Sequence, residues 1–122
     1  MEGFLTMQLP PEAMLLRIFI GESDRHGGHA LYEAIVLKAR ETGLAGATVL
    51  RGPMGFGASS HLHTAKILRL SADLPMVIEI VDREEKIRGF LPVLEAMVTP
   101  AGSALITLEK VQVLRYGSRA GL

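Results

Sequence analysis

Apolar and polar positions alternate over residues 15–20 (LLRIFI), and with its β-branched and aromatic side chains this stretch predicts a strand. Residues 21–28 (GESDRHGG) are turn chemistry. Over residues 29–42 the period changes. Leu31, Ala34, Ile35, Lys38 and Ala39 share one face at three-and-four spacing, widened by Tyr32 and Val36, so a helix is expected. Ser23 or Asp24 is its expected cap, and Gly43 stops it. Residues 47–51 and 65–70 read as the second and third strands. Leu74-Pro75 then breaks the chain before strand character resumes at residues 76–81, so these last two stretches are either one bent strand or two. Asp82 with Glu85 forms an Asp-type capping box for a second helix. Its apolar stripe is Ile87, Phe90, Leu91, Leu94, Met97 and Val98, and Pro92 should kink or divide it. A Thr-Pro-Ala-Gly run ends the helix at residues 99–102, and residues 105–116 give a last strand, with a break expected near Glu109-Lys110.

Strand, helix, strand, strand, helix, strand is the ferredoxin-like βαββαβ order: an α+β fold whose antiparallel sheet carries two helices on one face. A long hairpin joins strands 2 and 3. The expected limits are a tail at 1–13, one domain at 14–117 and a tail at 118–122, with Met7 and Met14 as alternative starts. Side-chain alternation then assigns the faces. If Leu16, Ile18 and Ile20 meet the helices, Leu15, Arg17 and Phe19 point away. Val77, Glu79 and Val81 join them, with Ile67 and Arg69 as further outward candidates. An open face this apolar is rarely left wet in a monomer. The expectation is a homo-oligomer in which sheets cover sheets, with Arg17, Arg69 and Glu79 as pairing candidates.

Composition narrows the function. At 122 residues the chain is long enough for one core but short for two, and 48% hydrophobic content places it among globular proteins. A formal net charge of zero argues against a nucleic-acid partner, which ordinarily requires a basic footprint. The absence of Cys excludes disulfides and thiolate chemistry. No apolar run matches a membrane span and no signal-peptide pattern opens the chain, so membrane insertion is not expected and the cytoplasm is the expected location.

The stretch RGPMGFGASSHLHTAKI (residues 51–67) is longer than a hairpin needs. Gly55 and Gly57 flank Phe56 and permit close backbone approach. Their N–H groups, with those of Ala58, Ser59 and Ser60, form a candidate anion-binding nest. The two serine hydroxyls, His61 and His63 add donors. A plain hairpin loop whose glycines serve turns accounts for the same residues.

Residues 43–57 (GLAGATVLRGPMGFG) and 74–81 (LPMVIEIV), in this strand order, resemble the PII signal-transduction proteins. Those have a Gly-x-x-Gly-x-Thr-Val strand opening, a Gly-Phe-Gly at the root of the long T-loop and a Leu-Pro followed by Ile-Glu-Ile-Val. The phrases IGESDR, YEAIV, GFGASS and LPMVIEIVDREEKI resemble the uncharacterised PII-like branch that carries a domain-of-unknown-function label. The resemblance covers residues 15–116. It implies a homotrimer with the sheets inside, an adenine nucleotide in the clefts between subunits, and a T-loop that reports occupancy to a transporter, channel or enzyme. By resemblance Gly55, Phe56 and Gly57 lie where the loop root meets nucleotide, Thr48 and Glu79 lie near the base, and Arg115 reaches phosphate. His61 and His63, with Ser59 and Ser60, are then the residues of loop 53–63 that face the partner.

Two departures refine the expectation. The Gly-rich basic segment that follows the second PII helix is here MVTPAGSAL (residues 97–105), without Lys or Arg. A less charged nucleotide, AMP or a cyclic species, therefore suits this chain better than ATP. The only tyrosines are Tyr32 and Tyr116, both outside the shorter loop, so T-loop uridylylation is not expected.

Other constellations are thinner. His61-x-His63 lacks a carboxylate in its loop, and His26 with His29, Asp24 and Glu22 is a weak ligand set, so no metal and no obligatory cofactor is expected. Acylphosphatase-type chemistry on this fold needs Asn, which the chain lacks, and no Ser/His/Asp order stands out. An RNA-binding sheet wants aromatic residues on its open face, where Phe19 stands nearly alone. The expectation is a non-enzymatic regulator. The alternatives are a ligand-free scaffold trimer and, further off, a small hydrolase.

Overall fold

The computed structural model describes residues 9–56, 63–64 and 73–117. Four strands form one antiparallel sheet in the order β4-β7-β1-β8: β1 (Glu12–Gly21), β4 (Thr48–Arg51), β7 (Pro75–Asp82) and β8 (Leu105–Gln112). Helices α1 (Leu31–Glu41) and α2 (Glu84–Val98) cover one face. This is the expected ferredoxin-like arrangement. The predicted strand at residues 65–70 lies outside the described residues.

Alternation places the core as expected. Leu16, Ile18 and Ile20 stand opposite Ile80, Ile78 and Met76 and are buried with them. Leu31, Ile35 and Ala39 from α1, with Ile87, Phe90, Leu94, Met97 and Val98 from α2, close the other side. Burying each large aliphatic side chain contributes about 1.5–3 kcal/mol, so a one-residue register slip, which would turn this whole set to solvent, is strongly disfavoured.

Several local expectations are corrected. Residues 25–30 form a hairpin rather than a helix start. β2 (Arg25–His26) pairs with β3 (His29–Ala30) around Gly27 (φ 56°) and Gly28 (φ 83°), two left-handed positions that suit the tight turn. Neither Ser23 nor Asp24 caps α1. The Asp24 carboxylate instead accepts from Gly21 N–H (2.9 Å), and its backbone carbonyl accepts from Leu31 N–H (2.8 Å). The capping box at α2 does not form either: Asp82 is the last residue of β7, and α2 begins at Glu84 without a side-chain cap. Pro92 leaves α2 continuous. It sits on the exposed side of the helix, where the carbonyl it orphans meets water. β8 runs unbroken through Glu109 and Lys110.

In the first turns of α2, Arg88 Nε donates to Glu84 Oε2 at 2.7 Å, and this bond holds the Glu84 carboxyl below the ordinary glutamate value. With the folded value depressed, the stabilisation is present above the unfolded value and is lost as pH falls through the folded one. Arg88→Gln is expected to raise the Glu84 midpoint in an NMR titration and flatten the acid limb of stability. An unchanged midpoint would show that the bond does not persist in solution.

The face opposite the helices is ruled into rows by the strand register. Leu50, Val77, Phe19 and Leu105 form one apolar row across the sheet. Phe19 is 37% exposed, Leu50 50% and Leu105 57%. The next row is Thr48, Glu79, Arg17 and Thr107. Here Arg17 Nε donates to Glu79 Oε2 (2.8 Å) and an Arg17 terminal nitrogen to Glu109 Oε1 (3.1 Å). The Glu79 bond is the main reason the Arg17 guanidinium sits above its ordinary value. Arg17 and Glu79 thus pair with each other within one chain, and Arg69 lies outside the described residues.

Candidate functional site

The loop from α1 into β4 is rigidly posted. Gly43 takes φ 84° at the helix end, and its carbonyl accepts from Lys86 Nζ at 2.6 Å. Ala45 N–H donates to the buried carboxylate of Asp82 at 2.9 Å. Gly46 and Ala47 then lead into Thr48, which stands opposite Glu79 on the open face.

At the far edge, β8 ends at Gln112 and Val113 N–H donates to the Pro11 carbonyl at 2.7 Å. The chain then leaves that edge for the opposite one, where Tyr116 Oη donates to the Ala45 carbonyl at 2.8 Å. Between this crossing segment and the sheet lies a cavity of about 600 Å³, within the range of small-molecule sites. Gly46, Thr48, Glu79, Val81, Arg115 and Tyr116 line it.

Three residues singled out from sequence therefore meet: Thr48 supplies a hydroxyl, Glu79 a carboxylate, and Arg115 the cavity's positive charge. Glu79 is already partnered on one oxygen by Arg17, which tempers its charge. The arrangement offers a hydroxyl, a carboxylate and a guanidinium to a small polar ligand. Tyr116, Gly46 and Val81 were not anticipated. The reach of Tyr116 to Ala45, 71 residues away, has no local signature.

The loop root is elsewhere. β5 (Met54–Gly55) pairs with β6 (His63–Thr64), setting Gly55 opposite His63. Gly52 and Gly55 both press on Pro75. A Cβ at either would lie 3.0 Å or 3.1 Å from its ring, and Gly52 N–H donates to the Pro75 carbonyl at 2.7 Å. The lack of a side chain at Gly55 therefore serves packing within the chain. The turn after β1 ties both feet of the loop together: Glu22 pairs with Arg51 at 2.5 Å, Glu22 N–H donates to the Leu74 carbonyl at 2.8 Å, and Ser23 N–H to Asp73 Oδ1 at 3.0 Å. Phe56 is exposed. Gly55 and Phe56 lie beyond the Arg51 end of β4 and do not line the cavity at its Thr48 end. Gly57, Ala58, Ser59, Ser60 and His61 lie outside the described residues, and of His63 only the backbone is described.

A second cavity, of about 590 Å³, separates residues 9–13 from the start of α2. Its wall mixes Glu12, Glu84 and Glu85 with Arg83 and Lys110 and contains none of the expected ligand-binding residues. Among the described residues no group of three or more His, Asp or Glu side chains is placed to hold a metal ion.

The fold is that of PII-like proteins. CPII of Thiomonas intermedia K12, solved with ADP, AMP and bicarbonate bound, superposes with a TM-score of 0.58 at 19% identity, covering 85% of this chain and 90% of CPII. A putative PII-like signaling protein of Thermus thermophilus gives 0.62 at 18% identity, over 84% and 89%. Closer in sequence is a UPF0166 protein of Aquifex aeolicus, 40% identical over 100 residues, 82% of this chain and 91% of the relative. Another, from Methanocaldococcus jannaschii, is 36% identical over 96 residues, 79% and 88% of the two chains. The profile of the DUF190 family, described as Uncharacterized ACR, matches residues 13–113, and the chain belongs to that family.

Proposed function

We propose that this is a non-enzymatic PII-like regulatory protein: a homotrimer that binds an adenine nucleotide, AMP above all, in clefts between subunits. Loop 53–63 passes the state of occupancy to a transporter, channel or enzyme. The observation that carries the reading is the cavity that gathers Thr48, Glu79 and Arg115 on the open face. Among the described residues of one chain that line it, Arg115 is the single cation, which suits one phosphate better than three, in keeping with the uncharged segment at residues 97–105. That CPII, a protein of the same fold, holds ADP and AMP supports the ligand class.

Assembly accounts for two further features. The apolar row through Phe19 would be covered by neighbouring sheets. Within one chain the loop root and the cavity lie at opposite ends of β4, and in the proposed trimer a nucleotide touching both Arg115 and the loop root draws them from neighbouring copies. No helix among the described residues is long and apolar enough to cross a membrane, so the reading places any membrane partner outside this chain.

A thermal-shift panel of AMP, ADP, ATP, cyclic mononucleotides and cyclic dinucleotides, each with and without Mg²⁺, tests this. A ligand at a hundred times its dissociation constant adds about 2.7 kcal/mol, several degrees for a domain of this size. AMP is expected to give the largest shift, and Arg115→Ala or Thr48→Val to remove most of it. A flat panel would turn the reading to a ligand-free scaffold, and tight binding of ATP would overturn the preference for one phosphate.

A further inference from the structure

We infer that residues 113–117 form a strap that closes the cavity, and that the Tyr116 hydroxyl is its latch. The inference rests on the reading of that cavity as the ligand site. The strap runs from one edge strand to the loop beside the other, over the open face. Apart from the start at Val113, where its N–H meets the Pro11 carbonyl, the described tie is the bond from Tyr116 Oη to the Ala45 carbonyl. Within the single chain Leu114 between them is 95% exposed, so intrachain packing there does almost nothing to hold the segment down.

The two sides of the latch differ in rigidity. Ala45 is fixed by the Asp82 carboxylate, itself only 2% exposed, and the neighbouring Gly43 carbonyl by Lys86. The acceptor is therefore a post, and the strap is the lightly held element. A segment with few buried contacts and an exposed hydrogen bond belongs to the low-stability end of a structure, where local opening is frequent. Opening would carry Arg115 and Tyr116 away from Thr48, Glu79 and Val81, taking with them the cavity's positive charge and an aromatic wall. Ligand contacts with Arg115 would favour the closed position, so that binding and latching support each other. Tyr116 is in this sense a positioning residue: it holds Arg115 over the site.

Tyr116→Phe removes the hydroxyl and keeps the ring. A neutral hydrogen bond of this kind corresponds to about a three- to tenfold change in the opening equilibrium. The strap contains a trypsin site after Arg115, and its cleavage can be followed by mass spectrometry on the full chain. Cleavage there is expected to be faster in Tyr116→Phe by about that factor, with melting temperature nearly unchanged, and AMP should slow it in the unmodified protein. N-methylanthraniloyl-AMP is expected to leave the variant about three to ten times faster, with its association rate little altered. Equal cleavage rates in the two proteins would overturn the latch, as would unchanged release from two proteins that both bind. If neither protein binds the nucleotide and the variant is still cleaved faster, the latch stands and the nucleotide reading falls.

Discussion

Phe19→Asp is expected to convert the proposed trimer to a folded monomer. Phe19 stands between Val77 and Leu105 in the apolar row of the open face, and the row reads Leu50, Val77, Phe19, Leu105 across all four strands. In the proposed assembly that row is covered by neighbouring copies. A carboxylate buried there without a partner costs several kcal/mol, and the cost recurs in each of the three chains. The cation on the same face two residues away, Arg17, is already engaged by Glu79 and Glu109 and is poorly placed to compensate. The fold should survive, because Phe19 lies opposite the helix-covered core in which Ile18 and Ile20 are buried. Light scattering on a size-exclusion column should give three times the 13.2 kDa chain mass for the unmodified protein and a single chain mass for the variant, with circular dichroism little changed. Leu37→Asp is the control: Leu37 is also an exposed hydrophobic, but on α1, away from the open face, and its variant should remain trimeric. A Phe19→Asp protein that keeps the unmodified mass would rule out assembly through this row.

Asp82→Ala is expected to be the most destabilising single change to a polar side chain in the domain. Asp82 ends β7 on the core side, opposite Met14, and accepts from Ala45 N–H at 2.9 Å and from the N–H of its neighbour Arg83 at 2.7 Å. Alanine removes both acceptors from a site too enclosed for water to replace them freely. Each donor left unsatisfied costs about 1–3 kcal/mol, so a loss of about 2–4 kcal/mol is expected, on the order of 10 °C in melting temperature. Asn keeps one oxygen and should recover roughly half, since the bond to Ala45 is the long-range one. Because Ala45 also bears the acceptor for Tyr116, Asp82→Ala should speed cleavage after Arg115 as well. A loss below about 1 kcal/mol in urea unfolding would mean that these N–H groups find other partners, and the description of the Ala45 loop as a fixed post would then fail.

Much of this architecture is legible in short stretches. LLRIFI and MVIEIV alternate, and alternation on a pleated strand decides which residues share a face. The stripes from Leu31 to Ala39 and from Ile87 to Val98 mark the helix faces in the same way. Asp82 and Glu85 have the spacing of a capping box but do not form one. What placed Asp82 one residue too early for the cap is that β7 continues through it and that Ala45, 37 residues earlier, needs its oxygen.

Local sequence carries the order of the main strands and helices and the alternation of their faces, and its resemblance to a known family points to Thr48, Glu79 and Arg115. Periodicity and motif are properties of neighbours along the chain, so these are written locally. What those residues meet is set by packing across the whole fold. Arg17 reaches Glu79 and Glu109 across 62 and 92 residues, Gly55 packs against Pro75, and Tyr116 crosses to Ala45. Such pairings depend on strand register, which the packing of the whole core sets at once. No short stretch of the chain contains that information.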